Sequence, residues 1–591
     1  MAFDGLFLSS IRAELSTWLG SRLERIYQPD KDTLLIHLRR GRDIKKLLLS
    51  AHAEHCRLHF TEAVPPNPPE PPLFCMVLRK HLQGGVLVEI HQPGLERVLE
   101  LRCSCTDELG RPVTRVLVVE IMGKHSNILL LDAKGTIIDA LRRYTHALSR
   151  HREVLPGRAY VPPPAQDKAD PWSLDEEQLG ALIFRSSWDK PLKTLLLEKL
   201  AGIGPQTAGE ILFRAGLPAE ITPESCGEHE VGRIWQALKG LLEASLPSSW
   251  QPTLVRDRDK RVLAFAAFDL KQFIGLPRAH FSTPSQVCDA FYEEKRAQTL
   301  LAAERRFLTG MVERELKRCL KKEALQAETV TAASGAEQWR LYGELITANI
   351  YRLQKGMTSF TAENFYDPEA RPVTIELDPS LTPAENAERY FSRYNKARNA
   401  ARQAALQLEQ TREEIAYLNS IAQALEMAES LEDLQEIRQE LMRAGYLEPP
   451  KVEKRQLQRP KEGASRPLEL VSSDGFPILV GKNNRQNDYL SLKLAREEDI
   501  WLHAKDVPGS HVLIRTQGRP VPERTLEEAA GLAAYFSRAR QAGRVAVDYT
   551  WAKHVRKPPG ARPGMVLYDH QRTVYVAPLS PDMLSSGTQS Q

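Results

Sequence analysis

The segment at residues 500–505 carries side chains of complementary chemistry at alternate positions. In an extended strand alternate residues lie on one face, so Trp501, His503 and Lys505 would line up. An aromatic ring can stack on a base while an ammonium group neutralises phosphate, so the pattern predicts contact with RNA. Core packing is the usual role of a single tryptophan. Catalysis by His503 or His511 is a weaker alternative, because no nucleophile or paired carboxylates stand nearby in the sequence.

Further polar and basic residues surround this segment. A turn at residues 481–488 holds two cations and three asparagines, and a basic run follows at residues 553–562. Cationic side chains clustered in one small domain are typical of nucleic-acid binding. The candidate RNA- or ribosome-binding residues in this part of the chain are therefore Lys482, Asn484, Arg485, Trp501, His503, Lys505, Lys553 and Arg556.

A second candidate lies in a helical stretch that contains Gly202, Ile203, Gly204 and Pro205. Proline suits the first turn of a helix, and the glycines permit a tight hairpin before it. Backbone N–H groups at a helix start can bind phosphate, so Gly202 and Gly204 are candidate contacts for nucleic acid. A helical hairpin without any ligand is the alternative interpretation.

Composition argues against several classes of protein. The chain has 591 residues and a net charge of +4, so we expect several domains with local basic surfaces at most. Its seven cysteines are scattered and include no Cys-x-x-Cys pair, which disfavours a disulfide framework and a thiolate zinc site. We expect no metal and no cofactor. The N-terminus lacks a signal-peptide pattern and no long apolar run occurs, so we expect a cytoplasmic protein with no membrane partner.

The elements that must position these residues indicate a multidomain α+β fold. Residues 1–170 predict an α/β module, and residues 171–285 predict a helix-hairpin-helix domain with a short β-rich connector. Residues 449–467 are rich in proline and basic residues and predict a linker. Residues 468–578 predict a second, small α/β domain, and residues 579–591 predict a disordered polar tail.

Residues 286–448 predict a long antiparallel coiled-coil arm with a compact tip. Apolar residues recur at spacings of three and four between Leu301 and Cys319, and the outer positions are densely charged. The tip is predicted to be non-helical at residues 357–379. A capping box at residues 382–385 would start the returning helix. A helical bundle packed inside a domain is the alternative.

Several motifs give the sequence a resemblance to the NFACT family. They run in the family's order over nearly the whole chain, and several are long. They are residues 1–5 (MAFDG), 120–127 (EIMGKHSN), 342–349 (YGELITAN), 364–367 (NFYD), 389–396 (RYFSRYNK) and 499–503 (DIWLH).

The resemblance implies a fold and a function that residue spacing does not reveal. The N-terminal module would be similar in fold to the N-terminal domain of formamidopyrimidine-type DNA glycosylases, and the C-terminal domain would bind RNA. Family members bind a large ribosomal subunit that is obstructed by peptidyl-tRNA, and their arm contacts the ribosome. In bacteria they recruit alanyl-tRNA, and a C-terminal tail that marks the stalled peptide for degradation grows without mRNA.

The expected partners follow from the same resemblance. They are the large ribosomal subunit with its rRNA and proteins, peptidyl-tRNA, alanyl-tRNA and a small RNA-binding partner protein. Because the ribosome makes the peptide bond, the resemblance implies a tRNA-delivering factor rather than an enzyme.

The resemblance also assigns tRNA-binding residues, position by position. The family's acid near the N-terminus matches Asp4, and its Asp-Arg pair falls on Glu96 and Arg97. Glutamate at position 96 departs from the family pattern, since it keeps the carboxylate but extends it by one methylene. Arg97 can still donate two hydrogen bonds to a phosphate or a base edge. The turn motif adds the candidates Glu120, Ile121, Met122, Lys124 and His125.

Three other functions compete with this interpretation. A DNA glycosylase needs proline and then glutamate after the initiator methionine, and the chain has Ala2 and Phe3, so we expect no DNA partner. A surface adhesin that binds fibronectin needs an export signal or anchor, and neither is visible. A general RNA- or ribosome-binding factor without tailing activity is the third alternative, and it would tolerate the loss of Asp4 and Arg97.

Overall fold

The structure is a computed structural model, and it describes residues 3–147, 151–164, 166–369, 371–448 and 466–585. The chain divides into two compact units, Met1–Gln298 and Thr299–Gln591. The predicted linker lies outside the described residues except for its last two positions. None of the helices in the described part of the chain is long and apolar enough to cross a membrane.

A nine-stranded antiparallel sheet forms the centre of the first unit. Its strands are β1 (Arg22–Asp30), β2 (Thr33–Arg40), β3 (Asp43–Ser50), β4 (Arg57–Thr61), β5 (Val86–His91), β6 (Val98–Thr106), β7 (Pro112–Glu120), β8 (Asn127–Asp132) and β9 (Ile137–Ala140), in the spatial order β4-β3-β2-β1-β5-β6-β7-β8-β9. Helix α1 (Gly5–Ser16) and helix α2 (Leu73–Leu82) share one apolar core with these strands. Along β6, Leu101, Cys103 and Cys105 alternate into that core, as period-two spacing requires.

A helical subdomain and a small sheet complete the first unit. The helices are α3 (Glu176–Phe184), α4 (Leu192–Lys199), α5 (Pro205–Arg214) and α6 (Glu228–Ala244). The sheet has the order β11-β10-β12, with β10 at Thr253–Arg256, β11 at Val262–Ala266 and β12 at Arg278–His280. The helical hairpin predicted around Gly204 is the α4–α5 connection, and Pro205 is the first residue of α5.

Two long helices form the predicted arm. Helix α7 (Pro284–Ala332) begins in the first unit and continues into the second, one 3₁₀ turn separates it from α8 (Glu337–Ala348), and α9 (Pro383–Met427) returns. Gln326 bonds Gln407 at 3.3 Å and Glu323 bonds Arg412 at 3.0 Å, so α7 and α9 run antiparallel. Four of the predicted apolar positions of α7 are buried in a core shared with α9, namely Leu308, Met311, Val312 and Cys319, and the other two, Leu301 and Leu316, are partly buried against it.

The tip of the arm contains a β-hairpin. Strands β13 (Ser359–Glu363) and β14 (Pro372–Glu376) pair antiparallel inside the segment predicted to be non-helical. The predicted capping box is present at the start of α9. The backbone N–H of Thr382 donates to the Glu385 carboxylate at 2.6 Å, and the Glu385 N–H donates to the Thr382 hydroxyl at 3.3 Å.

After α10 (Leu431–Arg443), a six-stranded sheet organises the rest of the second unit. The elements, in chain order, are β15 (Leu468–Val471), β16 (Pro477–Val480), α11 (Asn484–Tyr489), β17 (Ile500–Ala504), β18 (Val512–Ile514), α12 (Glu523–Tyr535), β19 (Val545–Trp551), β20 (Val555–Arg556), β21 (Leu567–Tyr568), β22 (Arg572–Val576) and α13 (Pro581–Ser585). The sheet order is β15-β16-β18-β17-β19-β22, and β20 pairs with β21. Helix α12 packs on one face, and the other face has its own apolar cluster.

The prediction of a disordered tail is wrong for its first residues. Leu579 lies against Gly531 of α12 and donates its backbone N–H to the Gly531 carbonyl at 2.9 Å. Leu584 of α13 is buried in the same core. Apolar burial therefore orders this stretch despite its polar composition. Residues 586–591 of the predicted tail lie outside the described part.

Candidate RNA-binding sites

A single buried carboxylate, Asp4, joins two helix starts in the first unit. Its Oδ1 accepts the Phe7 backbone N–H at 2.9 Å and so caps α1. Its Oδ2 accepts the Gly204 backbone N–H at 2.9 Å and the Thr207 hydroxyl at 2.6 Å, at the start of α5. Burial raises the pKa of Asp4, and these three hydrogen bonds oppose that rise. Asp4 therefore positions the hairpin.

This arrangement corrects the expected role of the hairpin glycines. The Gly204 N–H, predicted to be free for a phosphate, is already given to Asp4. The carboxylate occupies the place at the start of α5 that favours an anion. Gly202 has a φ of +72°, and a Cβ there would lie 2.4 Å from Leu95 Cβ, so both glycines serve the close approach of chain segments.

A cleft of about 270 Å³ opens beside this junction. It brings together five residues that the sequence analysis singled out, namely Asp4, Glu96, Arg97, Gly202 and Gly204. Glu96 and Arg97 are half-buried in the loop before β6, and Gln92 steadies that loop by donating to the carbonyls of Gly5 (3.1 Å) and Glu96 (2.9 Å). The loop therefore places Arg97 in the wall of the cleft.

Two further polar residues line the same cleft and were not predicted from the sequence, Gln166 and Lys168. Burial lowers the pKa of Lys168, the Glu96 carboxylate raises it and Arg97 lowers it further. These residues follow a proline-rich stretch with no periodic pattern, so nothing in the local sequence marked them. Arg97 and Lys168 give the cleft two cationic groups that an anionic ligand could bind.

The turn motif at residues 120–127 splits into a buried and an exposed half. Glu120 is fully buried, where Arg152 donates to it at 2.6 Å and the Tyr160 hydroxyl at 3.0 Å. Ile121 is also fully buried, in the main core. The prediction that Glu120 and Ile121 contact tRNA is therefore wrong, because their side chains cannot reach a ligand.

The exposed half of that motif stays a candidate. Met122 is half-buried, and Lys124 and His125 are exposed on a 3₁₀ turn that begins at Gly123. Gly123 has a φ of +60°, a backbone conformation that favours glycine. The buried pair of Glu120 and Arg152 anchors this turn at the end of β7.

In the second unit, Trp501 and His503 do share a face of β17, with ring centroids 5.8 Å apart. The predicted stacking of Trp501 on a base is nevertheless wrong, because its side chain is fully buried. It lies against Tyr568 and donates its indole N–H to the Ser491 hydroxyl at 2.9 Å. Burial lowers the pKa of His503 to about 4, so this imidazole is neutral at pH 7. Core packing, the alternative for the tryptophan, is what the structure has.

The polar turn at residues 481–488 bonds to the base of the arm. Asn484 is buried and donates to the Ser420 hydroxyl at 2.9 Å and to the Glu440 carboxylate at 3.1 Å. Asn483 donates to Glu436 at 2.8 Å. The prediction of RNA contact by Asn484 is therefore wrong, because its amide group is used inside the protein.

The neighbouring cations of that turn are also partly engaged. Arg485 is half-buried, and its guanidinium lies 3.4 Å from the Gln439 side-chain oxygen. Lys482 is half-buried. Both remain predictions as RNA contacts, with less accessible side chains than the sequence suggested.

An exposed aromatic and cationic row lies on the same face of this sheet. Lys505 is exposed and donates its backbone N–H to Ala546 at 2.9 Å, and Ala546 pairs with Tyr575, whose ring is 66% exposed. Trp551 is 48% exposed and, by strand alternation, lies on the opposite face, while Lys553 and Arg556, which follow it in the chain, are both exposed. Tyr575 and Trp551 were not predicted from the sequence, because both lie in strands whose pattern indicates only packing.

One group among the described residues could hold a metal ion. It consists of His554, Asp569 and His570, and the imidazole nitrogens lie 3.5 and 3.9 Å from one Asp569 oxygen. Two imidazoles and a carboxylate are ligands that zinc accepts. The Arg556 guanidinium lies 4.0 Å from the same carboxylate and would compete with a cation.

Comparison with known proteins agrees with the order of motifs and domains. Residues 4–460 match the family description "NFACT N-terminal and middle domains", and residues 467–569 match "NFACT protein RNA binding domain". The chain is 39% identical to "Rqc2 homolog RqcH" of Bacillus subtilis over 98% of both chains. It is 25% identical to "Archaeal Rqc2 homolog aRqcH" of Methanocaldococcus jannaschii, over 91% of this chain and 82% of that protein.

A solved structure, the fibrinogen binding protein from Staphylococcus aureus, is 29% identical and covers 49% of this chain and 99% of its own, with a TM-score of 0.42. The architecture is that of a multidomain α/β protein with a long helical arm and a C-terminal RNA-binding domain. The chain belongs to the NFACT family.

Proposed function

We propose that the protein acts in ribosome quality control as a tRNA-delivering factor. It would bind obstructed large ribosomal subunits that carry peptidyl-tRNA and recruit alanyl-tRNA for tailing of the stalled chain. Membership of the NFACT family and the names of relatives such as Rqc2 homolog RqcH support the general role. The observation that carries the tRNA-binding step is the cleft in which Arg97 and Lys168 meet.

The chemistry of the cleft suits one nucleotide or phosphate group of a tRNA. The planar guanidinium of Arg97 can donate two hydrogen bonds to a phosphate or to a base edge, and Lys168 adds a second positive charge. Because Asp4 already neutralises the start of α5, these side chains must supply the attraction for the anion. Glu96 lies in the same wall and can accept a hydrogen bond from a base amino group.

The protein would perform no chemical step itself. It would hold an aminoacylated tRNA on the large subunit, and the ribosome would make each peptide bond. The exposed row of Lys505 and Tyr575 would add a base-stacking and phosphate contact in the C-terminal domain.

The proposal is tested by purifying the tagged protein from cells and sequencing the RNA that it retains. We expect enrichment of large-subunit rRNA and of one tRNA family, without small-subunit rRNA. Large-subunit rRNA without any tRNA would support a general ribosome-binding factor and contradict the tRNA step. Retention of neither RNA would contradict the whole proposal.

A matched pair of variants assigns the tRNA step to the cleft. Arg97→Ala should lower tRNA recovery about tenfold or more, the usual loss for a charged hydrogen bond, while large-subunit rRNA is retained. The control is Arg258→Ala, an exposed arginine in the turn between β10 and β11 of the same unit. If both RNAs fell together in Arg97→Ala, the cleft would not be a separate tRNA site.

A further inference from the structure

Cationic side chains cover part of one face of strands β1–β3, and sequence motifs did not mark them. Strand register places Arg22 opposite Arg39 and Arg25 opposite His37, while His37 is opposite Lys46 on the next strand. Side chains directly opposite in an antiparallel sheet share one face. The neighbouring positions Leu23, Ile26 and Ile36 point the other way into the core with α1, so the cationic face is the one turned away from α1.

We define the basic band as Arg22, Arg25, Arg39, Arg42 and Lys46. Arg22, Arg25 and Arg42 are exposed, and Arg39 and Lys46 are half-buried. Among the described residues, Glu24 pairs with the band and accepts a hydrogen bond from Arg39 at 2.8 Å. Arg42 lies in the turn between β2 and β3, and the other four residues lie on the strands. Five cations and one paired carboxylate leave an excess of four positive charges, as large as the net charge of +4 of the whole chain. The band is thus a local concentration of positive charge.

This arrangement works against folding. Like charges directly opposite one another across antiparallel strands are destabilising. His37 lies between Arg25 and Lys46, and its pKa is lowered by burial and then by those two cations. Its ring Nε2 has no hydrogen-bond partner among the described residues. Four band cations donate hydrogen bonds inside the protein, to Gly84, Tyr27, Glu24 and Glu62, and these contacts offset part of the repulsion. Arg22 and Arg39 nevertheless lie directly opposite each other, and a local arrangement that costs stability is typical of a functional surface.

We propose that the basic band binds the phosphate backbone of RNA and gives the first unit a second RNA contact in addition to the cleft. This inference rests on the proposed function, in which the protein holds tRNA and rRNA. Cations spaced along neighbouring strands can contact successive phosphate groups of an RNA backbone. Such phosphate contacts do not depend on the base sequence. Ile44, opposite Arg39, is the one large apolar side chain that strands β1–β3 expose, so the surface around the band lacks the apolar anchors of a protein-binding surface.

The experiment measures the salt dependence of binding to unfractionated tRNA by fluorescence anisotropy, from about 50 to 200 mM salt. The full-length triple variant Arg25→Gln, Arg42→Gln, Lys46→Gln keeps polar side chains of similar length and removes three charges. Each phosphate contact contributes about 0.7–0.9 to the slope of log K against log salt, so the slope should become shallower by about 2. The control removes three exposed cations from the turn between β10 and β11, with Arg258→Gln, Lys260→Gln and Arg261→Gln, and should leave the slope unchanged.

An unchanged slope in the band variant would overturn the proposal, and so would an equal decrease in the control. The melting temperature serves as the second readout. We expect it to stay equal or to rise in the band variant, because repulsion is relieved, whereas a purely structural role would lower it. If the slope changes as expected but Arg97→Ala has no effect on tRNA recovery, the cleft proposal fails alone. If wild-type protein binds no tRNA, both proposals fail.

Discussion

The cleft at Arg97 and the polar turn at residues 481–488 use carboxylates in different ways. At the cleft, Asp4 bonds to the backbone of the hairpin, and Arg97 and Lys168 from the neighbouring loops line a cavity. At the turn, Glu436 and Glu440 bond the side chains of Asn483 and Asn484 themselves. A polar motif whose side chains are hydrogen-bonded inside the protein, like the one at this turn, is therefore a weaker candidate for ligand binding than its sequence suggests.

The largest expected effect is the loss of stability when Trp501 is removed. It distinguishes this buried side chain from the exposed Lys505 and Tyr575 on the same face. Trp501→Ala should lower the free energy of unfolding of the second unit by about 3–5 kcal/mol, because it empties a fully buried aromatic site. Differential scanning calorimetry measures the loss. A variant that kept its stability but lost RNA affinity would restore the stacking role that the structure argues against.

The next effect tests whether Asp4 positions the cleft. Asp4→Ala leaves the Phe7 and Gly204 N–H groups and the Thr207 hydroxyl without their acceptor, which should cost about 3 kcal/mol of stability. Chemical denaturation measures this loss, and tRNA recovery should fall with it. Arg97→Ala should instead lower tRNA recovery at unchanged stability. Equal losses of stability in both variants would contradict the distinction between Asp4, which positions the hairpin, and Arg97, which contacts the tRNA.

Glu440 makes the docking of the polar turn dependent on pH. Burial raises its pKa to about 7, and Tyr417 donates to one oxygen of its carboxyl at 3.0 Å. Between the ordinary pKa of 4.5 and pH 7 the folded protein holds a proton that the unfolded chain has released. Stability is therefore greatest below pH 4.5 as far as this group is concerned, and it falls by about 3 kcal/mol as the pH rises through 7.

Glu440→Gln should flatten that part of the stability profile, because its amide cannot ionise. The measurement is chemical denaturation of both proteins at several values between pH 5 and about 8. In the wild type, the slope of unfolding free energy against pH comes from the raised pKa of the buried Glu440. Identical slopes in the two proteins would therefore mean that Glu440 is already ionised in the folded state.

The smallest expected effect concerns Tyr575. Its ring is 66% exposed, so Tyr575→Ala should leave the unfolding free energy nearly unchanged. Loss of a stacked base should weaken binding to a single-stranded RNA oligonucleotide about tenfold. Met583→Ala, at a side chain that is 69% exposed in the same unit, is the control. Equal affinities for all three proteins would argue against the Lys505 and Tyr575 row.

The local sequence pattern correctly predicted helix starts and the long helices of the arm. The capping box at Thr382, the proline at the start of α5 and the buried positions of α7 were all visible in the sequence, because helix starts and apolar spacing are local properties. The prediction of a disordered tail is wrong at residues 579–585 because their few apolar side chains are buried against a helix that is distant in sequence. Leu584, for example, lies in the core that contains α12.

The amino-acid sequence by itself determined the order of the domains, the apolar pattern of the arm and the family of the chain, since these depend on neighbours in the chain. Tertiary structure alone decided which polar groups remain available. It buried Trp501, and it placed the Asn484 amide in a hydrogen bond to Glu440 and the Gly204 N–H in a hydrogen bond to Asp4. It also brought Lys168 beside Arg97 and set Arg25 and Lys46 in one row on either side of His37. Hydrogen-bond satisfaction and charge proximity are set by contacts between distant segments, which residue spacing does not encode.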